Sequence, residues 1–317
     1  MRTQISILCG LLVTLSLTGC VSSGYRYGVL RPERGGEPLT TAIERGKPNA
    51  LIDGVGWVVG IPGKIILWDR RVDNHDISPV TEEAISEYLV KNDLGQTKVR
   101  LNQYDPLGEW RRLTKNEKVG AGWRYTLGTL TTLGYTILPG RIFGGDHYNP
   151  FTNTINVYSD HPAIALHEGG HAKDIRSRDL PGTYSAAYML PFVALWHEEK
   201  ATSDVLSFLN AEDRPEEMRE AYRILYPAYG THVAGQFNNF IPPPFDLAVT
   251  AVCVIPGHVA GRIKATQVQG RQALAEADPF QGSPLAELGY SELGYSVAPP
   301  ESRINMLTDN SLTNDLD

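Results

Sequence analysis

His167-Glu168-Gly169-Gly170-His171 sets two imidazoles four residues apart with a carboxylate between them. On an α-helix, positions i and i+4 lie about 40° apart, so both rings face one point. Two neutral imidazoles aimed at one point are ligands for a divalent ion, and zinc is the ion this spacing suits. Glu168 falls beside that face, where its carboxylate can take a proton from a water activated by the metal and pass it to a leaving amine. The bland alternative is a helix whose two core histidines are satisfied by protein groups.

The residues around the pentapeptide predict the elements that would hold it. Ser159 or Asp160 serves as a helix cap and Pro162 falls in the first turn. Ile164, His167, His171 and Ile175 make one stripe of that helix, which turns the histidines inward. Gly169 and Gly170 each cost about 1 kcal/mol relative to Ala in a helix, which points to something packed closely against them. Upstream, residues 141–158 read as two strands around Asn149-Pro150, the second carrying Ile155 and Val157 on one face. Downstream, Trp196-His197-Glu198-Glu199-Lys200-Ala201-Thr202-Ser203-Asp204 opens an apolar helix that runs through Leu209.

A catalytic zinc takes three protein ligands and keeps one position open. One common pattern would need Gly and His at positions 174 and 177, where the chain has Asp174 and Ser177. HEGGH, the hairpin leading into it and a Glu-x-x-Ala segment 27 residues after His171 resemble a gluzincin-type zinc metallopeptidase over about residues 140–210. The resemblance implies an α+β, zincin-like, helix-dominated fold with a small sheet. It implies that the strand before the metal helix, Thr152 to Ser159, is an edge strand that pairs with extended peptide, and that a glutamate from the later helix completes the metal site. Helical phase favours Glu198 for that position over Glu199, because Ala194, Ala201, Thr202, Val205 and Leu209 lie on the Glu198 side. If the helix starts later, both glutamates become first-turn residues, so Glu199 stays open. Gluzincins often carry Asp four residues past the glutamate; Asp204 is six past Glu198, which leaves its role toward a histidine open. His147, His161, His197, His232, His258, Tyr184, Tyr188 and Tyr229 could each polarise a carbonyl, and none stands out.

The ends of the chain carry other information. Arg2, an apolar run from Ile5 to Leu17 and Leu17-Thr18-Gly19-Cys20 read as a signal peptide over 1–19 that ends in a lipobox, with Cys20 as the lipidated first mature residue. Val21 after that cysteine favours the outer membrane, facing the periplasm. Residues 20–50 read as a tether, 51–275 as the metallopeptidase domain, and 276–317, acidic and repeating ELGYS, as a disordered tail. Leu51 to Trp68 suits a buried or interfacial segment, whereas the uncharged runs Tyr125–Gly140, Pro181–Trp196 and Leu247–Gly261 are expected to be core helices. A net charge of −7 argues against nucleic acid as a partner. The expected function is therefore a lipid-anchored, periplasm-facing zinc peptidase acting on envelope peptides through His167, His171, Glu198 and the base Glu168. The alternative is a non-catalytic zinc-containing or structural envelope lipoprotein.

Overall fold

A computed structural model describes residues 25–28, 42–190, 192–238 and 245–276. The signal segment with Cys20, most of the expected tether and the tail from residue 277 lie outside the described residues. The chain divides at Val268 into two units, and everything below concerns the first, Met1–Val268. Helices dominate, around one small mixed sheet, as an α+β chain requires.

In chain order the elements are β1 (Ile43–Arg45), α1 (Ala50–Val59), α2 (Ile61–Leu67), α3 (Pro79–Lys91), β2 (Lys98–Leu101) and α4 (Pro106–Lys115). A short α5 (Ala121–Trp123) runs through a π-turn, Arg124–Gly128, into α6 (Thr129–Ile137). Then come α7 (Gly140–Phe143), β3 (His147–Asn149), β4 (Thr154–Val157), α8 (Pro162–Arg176) and α9 (Pro181–Ala187). The last three are α10 (Val193–Ala211), α11 (Pro215–Asn238) and α12 (Phe245–Glu276).

The sheet order is β1-β2-β4-β3, with β1, β2 and β4 parallel and β3 antiparallel to β4. Two expectations change here. The strand that leads into the metal helix, β4, is an inner strand: Thr154–Val157 pair with Lys98–Leu101 on one side and Thr154–Asn156 with His147–Asn149 on the other, so neither side is an open edge. The edge beside the metal helix belongs to β3. Part of the supposed tether, Ile43–Arg45, is the opposite edge strand, and Tyr25 packs on Phe208 while donating to Asn92. Three residues are too few to show an alternating pattern, and their fold comes from the parallel partner β2.

Beneath the sheet, Val99, Leu101, Ile155 and Val157 meet Ile85 and Leu89 of α3, Leu166 of α8, and Val205 and Leu209 of α10 in one core. Arg100 is 2 % exposed inside β2 and is held by Glu109 of α4 at 2.9 Å and Glu44 of β1 at 3.1 Å. A buried guanidinium is tolerable only when carboxylates surround it, so these pairs fix α4 and β1 against β2.

The cap of α8 also differs from expectation. His161 is the N-cap, its Nδ1 accepting from the Ala163 amide at 3.2 Å, and Pro162 follows it. Asp160 serves a different helix, accepting from the Ser78 amide, the Ser78 hydroxyl and Thr81 at the start of α3. Ser159 donates to Asp146.

Burial and the nearby Arg71 lower the His161 imidazole from its ordinary 6.5 to about 4, against the opposing pull of Asp69. The folded chain therefore holds His161 neutral while the unfolded chain protonates it near pH 6.5. Stability is unaffected above that pH and falls as pH drops from 6.5 to 4, by about 3 kcal/mol in all for about 2.5 pH units. His161→Asn keeps a side-chain cap and removes the titration, so urea unfolding at pH 7 and pH 4.5 should show a smaller acid loss for the variant than for the parent. Equal losses in the two proteins would remove His161 as the cause.

Candidate metal centre and its cavity

Helix α8 lies between α3 and α10, and its two glycines explain how closely. A Cβ on Gly169 would lie 2.7 Å from the Tyr88 ring of α3, and one on Gly170 would lie 3.1 Å from the Ala201 backbone of α10. The close packing that the glycines imply is present on both sides. Tyr88 has no exposed surface, stacks edge-on against Phe208 and donates to Asp204, so its ring has nowhere to go. Gly169→Ala should therefore lower stability by about 1–3 kcal/mol although alanine is the better helix former. A rise in the urea midpoint would show that the α3–α8 contact can relax.

Because Gly170 lets α10 approach, Glu198 reaches the histidines. Its Oε2 lies 3.0 Å from His167 Nε2 and 3.3 Å from His171 Nε2, and the two Nε2 atoms are 3.1 Å apart. All three residues are buried. Glu199, one position on, is half-buried and outside the group. The phase of α10 follows the expected face, with Ala201, Thr202, Val205 and Leu209 buried.

The remaining ring nitrogens are also engaged. Thr202 Oγ1 is 3.4 Å from His167 Nδ1, and the Tyr188 hydroxyl is 3.0 Å from His171 Nδ1. With a proton on each Nδ1 donated to those hydroxyls, each Nε2 presents a lone pair to the shared point. Two lone pairs and a carboxylate oxygen at such distances repel unless a proton or a cation lies among them. A tetrahedral ion with ligands at ~2.05 Å needs donors ~3.3 Å apart, close to the spacing observed. The buried His167-His171-Glu198 group can thus hold a metal ion.

Tyr188 is itself braced. Its ring stacks on the buried His197 at a centroid distance of 3.5 Å, and His197 Nδ1 lies 3.7 Å from Asp174. Asp174 accepts from Tyr184 and Arg178. Burial opposes its ionisation, yet the hydrogen bonds from Tyr184 and Arg178, with His197 close beside them, hold its carboxyl at about 2. Asp204 does not reach either imidazole; it accepts from Lys173 at 2.8 Å and from Tyr88. The position four residues past Glu198 is Thr202, and a hydroxyl there meets His167.

Glu168 is buried beside the metal group without belonging to it. Burial raises its carboxyl to about 8, with Glu198 and Asp146 adding to the rise and His167 and the Tyr148 amide opposing it. A cation among the histidines would pull it back toward ionisation. Burial likewise works against Glu198, but the surrounding imidazoles of His171, His232 and His167 hold it well below the usual carboxylate range.

These groups line one cavity of about 670 Å³. Its floor carries His167, Glu168, His171 and Glu198; its walls are mainly apolar, including Leu67, Leu127, Leu130, Phe151, Ile164 and Met189. Thr202 escaped sequence reasoning as a functional candidate, and Tyr188 and His232 were named there without being singled out. Thr202 and Tyr188 orient imidazoles, and His232 of α11 puts Nε2 3.3 Å from Glu198 Oε2 while staying 44 % exposed at the cavity wall. The i+4 relation to Glu198 could have exposed Thr202. Nothing local marks the other two, because α9 and α11 are set by helix crossings. Of the other histidines, His147 is on edge strand β3 along the cavity, and His258 donates to the Ile66 carbonyl under Trp68.

Compared with known proteins, the chain matches no family model, no curated protein and no solved structure.

Proposed function

We propose that the chain is a lipid-anchored zinc metallopeptidase of gluzincin type, facing the periplasm and hydrolysing peptide bonds in the cell envelope. The observation that carries the reading is an oriented His-His-Glu donor set with a buried carboxylate, Glu168, that stands beside it and takes no part in it. A purely structural metal site has no use for that carboxylate. Two imidazoles and one carboxylate are ligands that zinc accepts, and zinc bound there would polarise a carbonyl and make water acidic.

The chain's own groups supply the rest. Glu168 accepts the proton of the attacking water and delivers it to the departing amine. His232, exposed on the cavity side of α11, donates to the carbonyl oxygen as negative charge develops on it. Thr202 and Tyr188 keep the imidazoles in register, so the donor set does not reorganise during reaction. The apolar walls exclude bulk water and strengthen each of these interactions. Extended substrate can lie along β3, the sheet edge at the cavity. The anchor is Cys20, with the outer membrane as the favoured site and no nucleic-acid partner.

Metal analysis of the purified chain, combined with an N-terminal profile of envelope peptides from cells with and without it, tests the reading. About one zinc per chain and a set of termini that depends on the chain are expected. Zinc without such termini would leave a non-catalytic envelope protein.

A further inference from the structure

The three uncharged runs expected in the core turn much of their apolar surface outward. Leu130, Leu133 and Ile137 of α6 are 61, 44 and 65 % exposed, and Val252, Ile255, Val259 and Ile263 form an outer stripe of α12 with each more than half exposed. Leu51, Val55 and Val58 do the same on α1, and Met189, Leu190 and Phe192 follow α9. Each helix thus carries its apolar stripe on the wrong side for a water-facing surface. Apolar content alone cannot say which way a stripe faces, and here the small residues take the inner contacts: Gly257 and Gly261 of α12 lie against the α11 backbone.

The outward stripes surround the cavity mouth. Leu130 and Met189 are both exposed and cavity-lining; Ile66 and Leu67 of α2 line the same cavity, and Ile66 accepts from His258 of α12. Aromatic rings with adjacent cations accompany the stripes: Arg124 lies on Tyr125, Lys200 on Trp196 and Arg262 on Trp68. Although the whole chain is negative, residues 121–143 and 247–264 contain Arg124, Arg141, Arg262 and Lys264 and no acid, and Arg141 neutralises Asp53, the one acid of α1. Among the described residues no single helix is long and apolar enough to cross a membrane; α1 and α2 pass such a test only as a pair bent by 48°. Outward apolar stripes, Trp and Tyr beside them and local positive charge suit a surface that lies in an anionic lipid interface without spanning it.

We propose that α1, α2, α6 and the outer stripe of α12 seat the protein in an anionic bilayer surface, with the cavity mouth open to the acyl region. The cavity then admits substrates whose scissile amide is joined to a membrane-embedded apolar chain. The substrate class rests on the hydrolase reading above; the seating does not.

Tryptophan quenching tests the seating. The mature chain from residue 20 carrying Cys20→Ser, so that neither an acyl anchor nor the apolar run Ile5 to Leu17 contributes, is mixed with vesicles of three parts phosphatidylethanolamine to one part phosphatidylglycerol with brominated acyl chains. Quenching is expected, and Trp57→Phe with Trp68→Phe should remove about half of it or more. Ile65→Ser, Leu133→Ser and Ile255→Ser together should weaken vesicle partition about tenfold or more while metal content is unchanged. Quenching that ignores Trp57 and Trp68, or partition unaffected by the three serines, overturns the seating. So does a concentration-dependent dimer that the serines disperse in the absence of vesicle binding, which would assign the surface to a second copy. Neither readout involves turnover, so an inactive but membrane-seated protein would refute only the hydrolase reading.

Discussion

Glu168→Gln should keep its metal and lose about 100-fold or more of its hydrolytic rate. The residue lies outside the donor set, so zinc per chain stays at the parent value. Gln matches Glu in volume and keeps an oxygen to accept from the Tyr148 amide, which leaves the buried pocket filled and satisfied. It has no proton to exchange. A positioned acid–base group contributes about 10²–10⁴-fold, and both transfers assigned to Glu168 disappear together. Zinc analysis and turnover on an envelope-peptide pool, measured on the same preparation, check the result. A variant with parental turnover would mean that the proton passes through another group, and the assignment to Glu168 would fall.

Glu198→Ala should lose most of its bound metal, whereas Glu199→Ala should keep it. Among the described residues Glu198 supplies the one carboxylate oxygen within 3.3 Å of both ligand nitrogens, and Glu199 lies outside that group. Removing a direct ligand should cost more than the 10–100-fold in affinity that loss of an orienting neighbour costs. The same pair of variants separates metal from fold. Bound metal at ~1,000 times its dissociation constant stabilises by about 4 kcal/mol, so a chelator should lower the melting temperature of the parent and of Glu199→Ala. It should leave Glu198→Ala nearly unmoved. If the chelator acts on Glu198→Ala as on the parent, the metal is held elsewhere.

The site was legible where chemistry and helical period coincide. The i, i+4 spacing brings His167 and His171 together, and a buried carboxylate on an otherwise apolar face distinguishes Glu198 from Glu199. It was not legible where position depends on how elements cross. Tyr188 comes from the end of a short helix, and His232 lies on α11, whose approach to α10 no spacing encodes. Local rules failed at the α8 cap, since histidine is not among the usual capping side chains and Asp160 is drawn to α3. The edge position expected for β4 came from the family resemblance, and local pattern could not correct it, because an inner strand and an edge strand can share one pattern when all four residues are buried. The uncharged runs were read as core because hydropathy measures content, and the sides they present depend on glycine contacts made elsewhere.

The adjacent glycines of α8 also bear on heredity. A motif that asks only for His-Glu-any-any-His carries little information, since its middle positions accept every residue. Here one middle position faces a tyrosine ring and the other a neighbouring backbone, so a side chain at the first forces the ring to shift and one at the second crowds the partner helix. Descendants that retain this packing should spell both positions as glycine, with glutamate and threonine four apart on the partner helix. That longer signature can find distant kin where overall sequence similarity has decayed.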